Sequence, residues 1–99
     1  MDFTAASNNK ETEWSQRTPP NAISFANPCA SGQTVVPWEH IIDLSNRLNA
    51  DAWICVPARA SVDYIENCAA VFGANLNPTL RVYPERGNEL WNFASAWYD

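Results

Sequence analysis

The sequence predicts an α/β fold in which a parallel sheet is covered by helices, and three observations point there. The run Ala52-Trp53-Ile54-Cys55-Val56 is apolar without polar alternation, the pattern of a strand buried on both faces. Two stretches, 37 to 49 and 62 to 76, carry apolar residues at helical steps of three and four. The helix-to-strand turns at 49 to 51 and 77 to 79 are short, whereas the strand-to-helix connections are longer.

Taken in order, residues 4 to 34 are Ser, Thr, Asn and Pro with scattered charge and no period, so they read as a long loop. Trp14 and Phe25 within it each need a surface to pack on. Pro37 suits a first helical turn, and Ile41, Leu44, Ser45 and Leu48, widened by Ile42, mark an amphipathic helix over 37 to 49. The apolar strand follows, and Trp53 reads as core. Ser61 is a good N-cap with Asp63 in the first turn, and Val62, Ile65, Ala69, Phe72 and Leu76 form the stripe of a second helix that stops near Asn77-Pro78. Leu80, Val82 and Tyr83 predict a second short strand that Pro84 ends, and Leu90 to Tyr98 begins a further helix. In parallel α/β folds the loops at the carboxyl ends of the strands carry the chemistry. That rule places the site among residues 4 to 34, 57 to 61 and 84 to 92.

Composition narrows the function. Ninety-nine residues with 46% hydrophobic, 12% aromatic and 3 glycines are globular and fit one domain at most. Six Lys plus Arg against eleven Asp plus Glu give a net charge of −5, the wrong sign for a phosphate-backbone binder, so no nucleic-acid partner is expected. No apolar run approaches the roughly 18 residues that span a bilayer, and no membrane partner is expected. Met1-Asp2-Phe3-Thr4 has neither the basic start nor the apolar core of a signal peptide, while secretion of a longer parent stays open. Gly32, Gly73 and Gly87 form no phosphate-binding pattern. Cys29, Cys55 and Cys68 form no CxxC pair, and His40 has only Glu39 and Asp43 near it, so neither metal nor cofactor is expected. Cys55 and Cys68 read as buried thiols.

The most informative segment is Tyr83-Pro84-Glu85-Arg86-Gly87-Asn88-Glu89-Leu90-Trp91-Asn92. Carboxylates supply acid and base chemistry at glycosidic bonds, Asn can hold a sugar hydroxyl, and Trp offers an apolar face to a sugar ring. The same residues also fit a solvated turn with a helix-packing Trp91.

Residues Val36 to Trp53, and Leu80 to Tyr83 with Gly87 to Asn92, resemble a bacterial-type group of glycoside-hydrolase-like TIM-barrel proteins. In that group a helix rich in "LANxLGAD" leads to a strand "PWxxxPH", and a later strand reads "VYVEYxNEVWN". Met1-Asp2-Phe3, Glu13-Trp14 and Arg17 resemble the segment after the group's second strand, and the Asn-Glu-Leu-Trp-Asn end is the specific part. The chain departs from the pattern at Ala58, where the group has His, and at Pro84 and Arg86, where it has Val and Tyr.

The resemblance implies a clan A, retaining hydrolase acting on poly- or oligosaccharide. Glu89 would be the general acid/base, Asn88 would contact the sugar 2-hydroxyl and Trp91 would be a packing or platform residue, with Trp14 a further substrate-binding candidate and Glu85 more structural than catalytic. It also implies a fragment of a (β/α)8 barrel, from the end of the second strand through the fourth and its following helix, since a whole barrel takes about 250 residues. Such a fragment would lack the nucleophile that a retaining enzyme needs about 5 to 5.5 Å from the acid/base, and would be inactive alone. A second expectation, from another class, is a non-catalytic carbohydrate-binding or interaction protein that stacks sugars on exposed Trp14, Trp38 and Trp91. A third is a product with no independent function. The oligomeric state is not indicated by the sequence.

Overall fold

The helix starts and the apolar strand arise where local chemistry directs them, but the faces they bury differ from the expectation. The structure is a computed structural model and describes residues 12–22 and 36–87. The element order is a 3₁₀ turn at Trp14–Gln16, α1 at Trp38–Leu48, β1 at Ala52–Val56, α2 at Val62–Asn75 and β2 at Val82–Arg86. The two strands pair in parallel, with Ala52 opposite Val82 and Val56 opposite Arg86. The helix proposed for Leu90 to Tyr98 lies outside the described residues.

The ends of the elements are held by specific groups. Asn49 takes the left-handed conformation (φ 51°), which an Asn side chain tolerates, and closes a Schellman motif with Asn49 N–H on Asn46 O and Ala50 N–H on Ser45 O. Ser61 caps α2 as its sequence suggests, its Oγ accepting from Tyr64 N–H at 3.1 Å. The Asn46 side chain ties the two helix ends together, donating to Asn75 O at 2.9 Å and accepting from Asn77 N–H at 2.8 Å. At the start of the sheet the Asp51 carboxylate accepts from Arg81 N–H at 2.8 Å while Ala52 N–H donates to Arg81 O at 2.9 Å. That pair of bonds fixes the strand register before the ladder begins.

Trp38 and Ile42 from α1, Ala52 and Ile54 from β1, and Tyr64, Cys68 and Phe72 from α2 form one buried cluster. At its centre Trp38 Nε1 donates to Tyr64 Oη at 3.0 Å, and Phe72 stands edge-on to Trp38 at 5.9 Å between ring centroids. This aromatic contact sets the roll of both helices. The buried residues of α2 are Tyr64, Cys68 and Phe72, four apart, while Val62 and Ile65 of the expected stripe are 71% and 52% exposed. In α1 the buried residues are Trp38, Ile42 and Ser45, and Leu44 and Leu48 face outward. Aromatic rings bury more area than aliphatic side chains, and a buried indole N–H needs an acceptor. Both demands are met by turning Tyr64 inward.

The expected fragment of a (β/α)8 barrel is corrected here. The described residues make a small mixed α/β unit of two helices and a two-stranded sheet, too small to be such a fragment. In a barrel wall the strands carry helices on one face and fill a packed interior with the other. The face of this sheet turned away from the helices is open instead, with Trp53 74% and Tyr83 49% exposed. The apolar run 52 to 56 is therefore covered on one face, not two: Ala52 and Ile54 are buried and Trp53 between them is not.

Pro84 does not end the second strand either. Gly87 N–H donates to Val56 O at 2.7 Å, so by the alternation of a strand Glu85 and Tyr83 also present their backbone groups to β1 while Pro84 presents its own away from it. The missing donor costs the ladder nothing there. Gly87 itself is buried with φ 67°, a conformation that favours glycine.

Replacing Tyr64 by Phe removes the acceptor and leaves a buried indole N–H without a partner. The expected loss is about 1–3 kcal/mol of stability with the far-ultraviolet circular dichroism unchanged. Chemical denaturation measures it, and a stability equal to that of the parent chain would show that the hydrogen bond does not organise the core.

Candidate functional site

Because β1 and β2 are parallel and in register, Trp53 lies opposite Tyr83 and Cys55 opposite Glu85 on the face turned away from both helices. Neighbouring strands in a ladder stand about 4.8 Å apart, so the two aromatic side chains start side by side. Trp53 Nε1 reaches diagonally to Glu85 Oε2 at 3.1 Å. The hydrogen bond crosses the strands and ties the indole to a carboxylate. An exposed Trp, an exposed Tyr and a carboxylate thus share one face.

The carboxyl ends of the strands adjoin this face. Pro57 and Ala58 leave β1 buried, and the Arg86 guanidinium donates through Nε and Nη2 to Ala58 O at 3.1 and 3.0 Å. A hollow of about 410 Å³ opens there, lined by Val56, Pro57, Ala60, Ile65, Pro84, Glu85 and Arg86. Glu85 stands between this hollow and the Trp53–Tyr83 face. A second groove of about 380 Å³, more apolar and without charged groups, runs between α2 and the strands past Ile65, Phe72, Leu76 and Val82.

No family model, curated protein or solved structure matches the chain. What the site can do rests on its own residues.

The candidate residues read from the sequence fall in three places. Glu89, Asn88 and Trp91 lie outside the described residues; in the sequence they follow Gly87, whose backbone is fixed on Val56 at the carboxyl end of β1. Trp14 is half-buried on the helical side of the sheet. Its ring meets Tyr64 edge-on at 5.3 Å, and the Arg17 guanidinium sits 4.4 Å from its centroid. Arg17 in turn pairs with Glu39 at 3.0 Å, and Ser61 N–H donates to Thr12 O, so the turn around Trp14 is strapped across the starts of α1 and α2. Trp38, expected as an exposed stacking platform, is 3% exposed and belongs to the core. Trp53, expected in the core, is the exposed tryptophan among the described residues. The interior of a continuous apolar run gave no sign of this; only the pairing of Trp53 with a strand that carries Tyr83 and Glu85 reveals it.

No group of three His, Cys, Asp or Glu side chains that could hold a metal ion occurs among the described residues, and no helix there is long and apolar enough to cross a membrane. Cys55 is half-buried on the Trp53 face, not fully buried as its sequence suggests. Burial pushes the Cys68 thiol up to about 12, and the neighbouring Glu39 charge adds to the effect. Its thiolate is scarce at neutral pH, which removes it as a nucleophile. In the native protein at about pH 8, where an unperturbed thiol is partly ionised, Cys68 should resist iodoacetamide and become labelled only on unfolding. Peptide mapping by mass spectrometry measures this, and labelling at the rate of an unfolded control would contradict the burial.

Proposed function

We propose that the protein binds carbohydrate on the open face of its sheet, with Trp53 and Tyr83 as the stacking platform and Glu85 as the hydrogen-bonding edge. The observation that carries this reading is the Trp53–Glu85 hydrogen bond on an exposed face. Sugars are amphipathic rings: the axial C–H face is apolar and the equatorial edge carries hydroxyl donors. An aromatic ring accepts the first and a carboxylate accepts hydrogen bonds from the second. Holding the indole by its N–H fixes its plane before the ligand arrives, which lowers the ordering cost of binding.

Intrinsic fluorescence titrated with a panel of neutral oligosaccharides tests the proposal, because Trp53 is the exposed tryptophan among the described residues. Trp53→Ala is expected to weaken the tightest ligand at least about tenfold while leaving the melting temperature close to that of the parent chain. A flat response across the panel, or equal affinity in the variant, would sink it.

A hydrolytic reading rests on one further observation. The Gly87–Val56 hydrogen bond fixes Gly87 at the carboxyl end of β1, and in the sequence Gly87 is followed by Asn88-Glu89, the acid/base motif of the glycosidase group that the segment resembles. In this reading Glu89 protonates the glycosidic oxygen and Asn88 holds the 2-hydroxyl, and a retaining mechanism also requires a second carboxylate as nucleophile. Glu89→Gln in a protein that contains this segment and cleaves aryl glycosides should lower turnover about 100-fold or more with oligosaccharide binding retained. Unchanged turnover would remove Glu89 from the chemistry without touching the binding proposal.

A further inference from the structure

The charges around the open face narrow the class of sugar, and this step rests on the carbohydrate reading above. Glu85 is exposed and uses Oε2 to accept from Trp53 Nε1, and Oε1 has no partner among the described residues. The cation next to it in sequence, Arg86, sits at the register position of Val56 on the opposite face and spends Nε and Nη2 on Ala58 O. Arg81 lies at the other end of β2, four residues from Glu85, which is about 13 Å along a strand. It is accompanied there by Asp51, whose carboxylate accepts from the Arg81 backbone.

The platform end of the face therefore presents an unshared carboxylate oxygen beside two exposed aromatic rings. Both attract a cation, the carboxylate through its charge and the rings through their negative π faces. The chain as a whole carries −5, which repels an acidic polysaccharide at long range. We infer that the preferred ligand is an oligosaccharide of amino sugars, its rings on Trp53 and Tyr83 and a protonated amine at Glu85. Neutral sugars fit the platform but leave Oε1 with hydroxyl donors only. Uronic-acid sugars place a carboxylate against Glu85 and are rejected.

Fluorescence titration with fully deacetylated glucosamine oligomers, their N-acetylated counterparts and oligogalacturonate tests the inference at about pH 6, where the amine is protonated. The deacetylated oligomers are expected to bind about five- to tenfold tighter than the acetylated ones at low salt, with the difference shrinking at about 0.5 M salt. Glu85→Gln keeps an amide oxygen for the Trp53 indole and removes the charge, so it should abolish the preference between the deacetylated and acetylated oligomers. Glu66→Gln on the exposed side of α2 makes the same change in net charge away from the face and should leave the preference intact. Equal affinity for the two oligomers, a preference that survives Glu85→Gln, or one that Glu66→Gln abolishes equally would overturn the inference. Tighter binding of oligogalacturonate would overturn it as well. Failure of all three ligands together with every neutral sugar instead overturns the carbohydrate reading itself.

Discussion

The described part of this molecule is organised by two strands that run in the same direction. A parallel pair cannot be joined by a tight turn; the chain must return along the sheet, and here it does so through α2 between Val56 and Val82. The returning helix has to bury its apolar side on a sheet face, and α1 packs beside it against the same residues, Ala52 and Ile54. With both helices on one side, the opposite side of the ladder is left to carry other chemistry. The core and the candidate site are thus the two faces of the same five-residue strands.

The division is sharpened by which aromatic residue goes where. Trp38, Tyr64 and Phe72 close the covered face around one indole-to-phenol hydrogen bond. Trp53, one residue from buried neighbours on either side, finds no such partner inside and meets a carboxylate outside. Exposing a Trp with an adjacent Tyr forgoes apolar burial worth about 25 cal/mol per Å². Leaving these two rings exposed on one face of the in-register strands keeps them accessible to a ligand. The Arg17–Glu39 pair and the Trp14–Tyr64 contact act on the covered side, where they fasten the segment around the 3₁₀ turn to the helices.

Local signals in the sequence were readable where they are local in cause. Ser61 caps α2 because its hydroxyl reaches a backbone N–H three residues on, and the helical spacing before Asn49 ends where an Asn can turn left-handed. What the sequence concealed depends on partners distant along the chain. The stripe Val62, Ile65, Ala69, Phe72 is as helical as Tyr64, Cys68, Phe72, and only the presence of Trp38 across the core decides between them. The run 52 to 56 looks doubly buried because its outward residues, Trp53 and Cys55, are apolar too; the alternation lies in the environment, not in the composition. The likeness to a glycosidase barrel rests on short motifs, and motifs specify local geometry without specifying how many strands close around it. Of the site residues read from that likeness, Trp14 alone falls within the described part, and it stands in a packed cluster on the helical side.

Pro84 shows how one residue can carry opposite meanings in sequence and structure. Read alone, it breaks a strand because it lacks a donor. Placed where its backbone nitrogen faces away from β1, it loses no hydrogen bond and keeps its other two properties. Its ring fixes its own φ near −65°, and it confines the preceding residue, Tyr83, to the extended region. The residue that follows is Glu85. A proline at this register position therefore stiffens the strand between the aromatic and the acidic member of the open face, and holds their spacing without help from a neighbouring strand. Gly87 then turns the chain with a conformation that favours glycine, so the backbone is constrained on both sides of Glu85. The spacing of Tyr83 and Glu85 is set before any ligand arrives, which is the condition under which a small, shallow face can recognise a ligand at modest entropic cost.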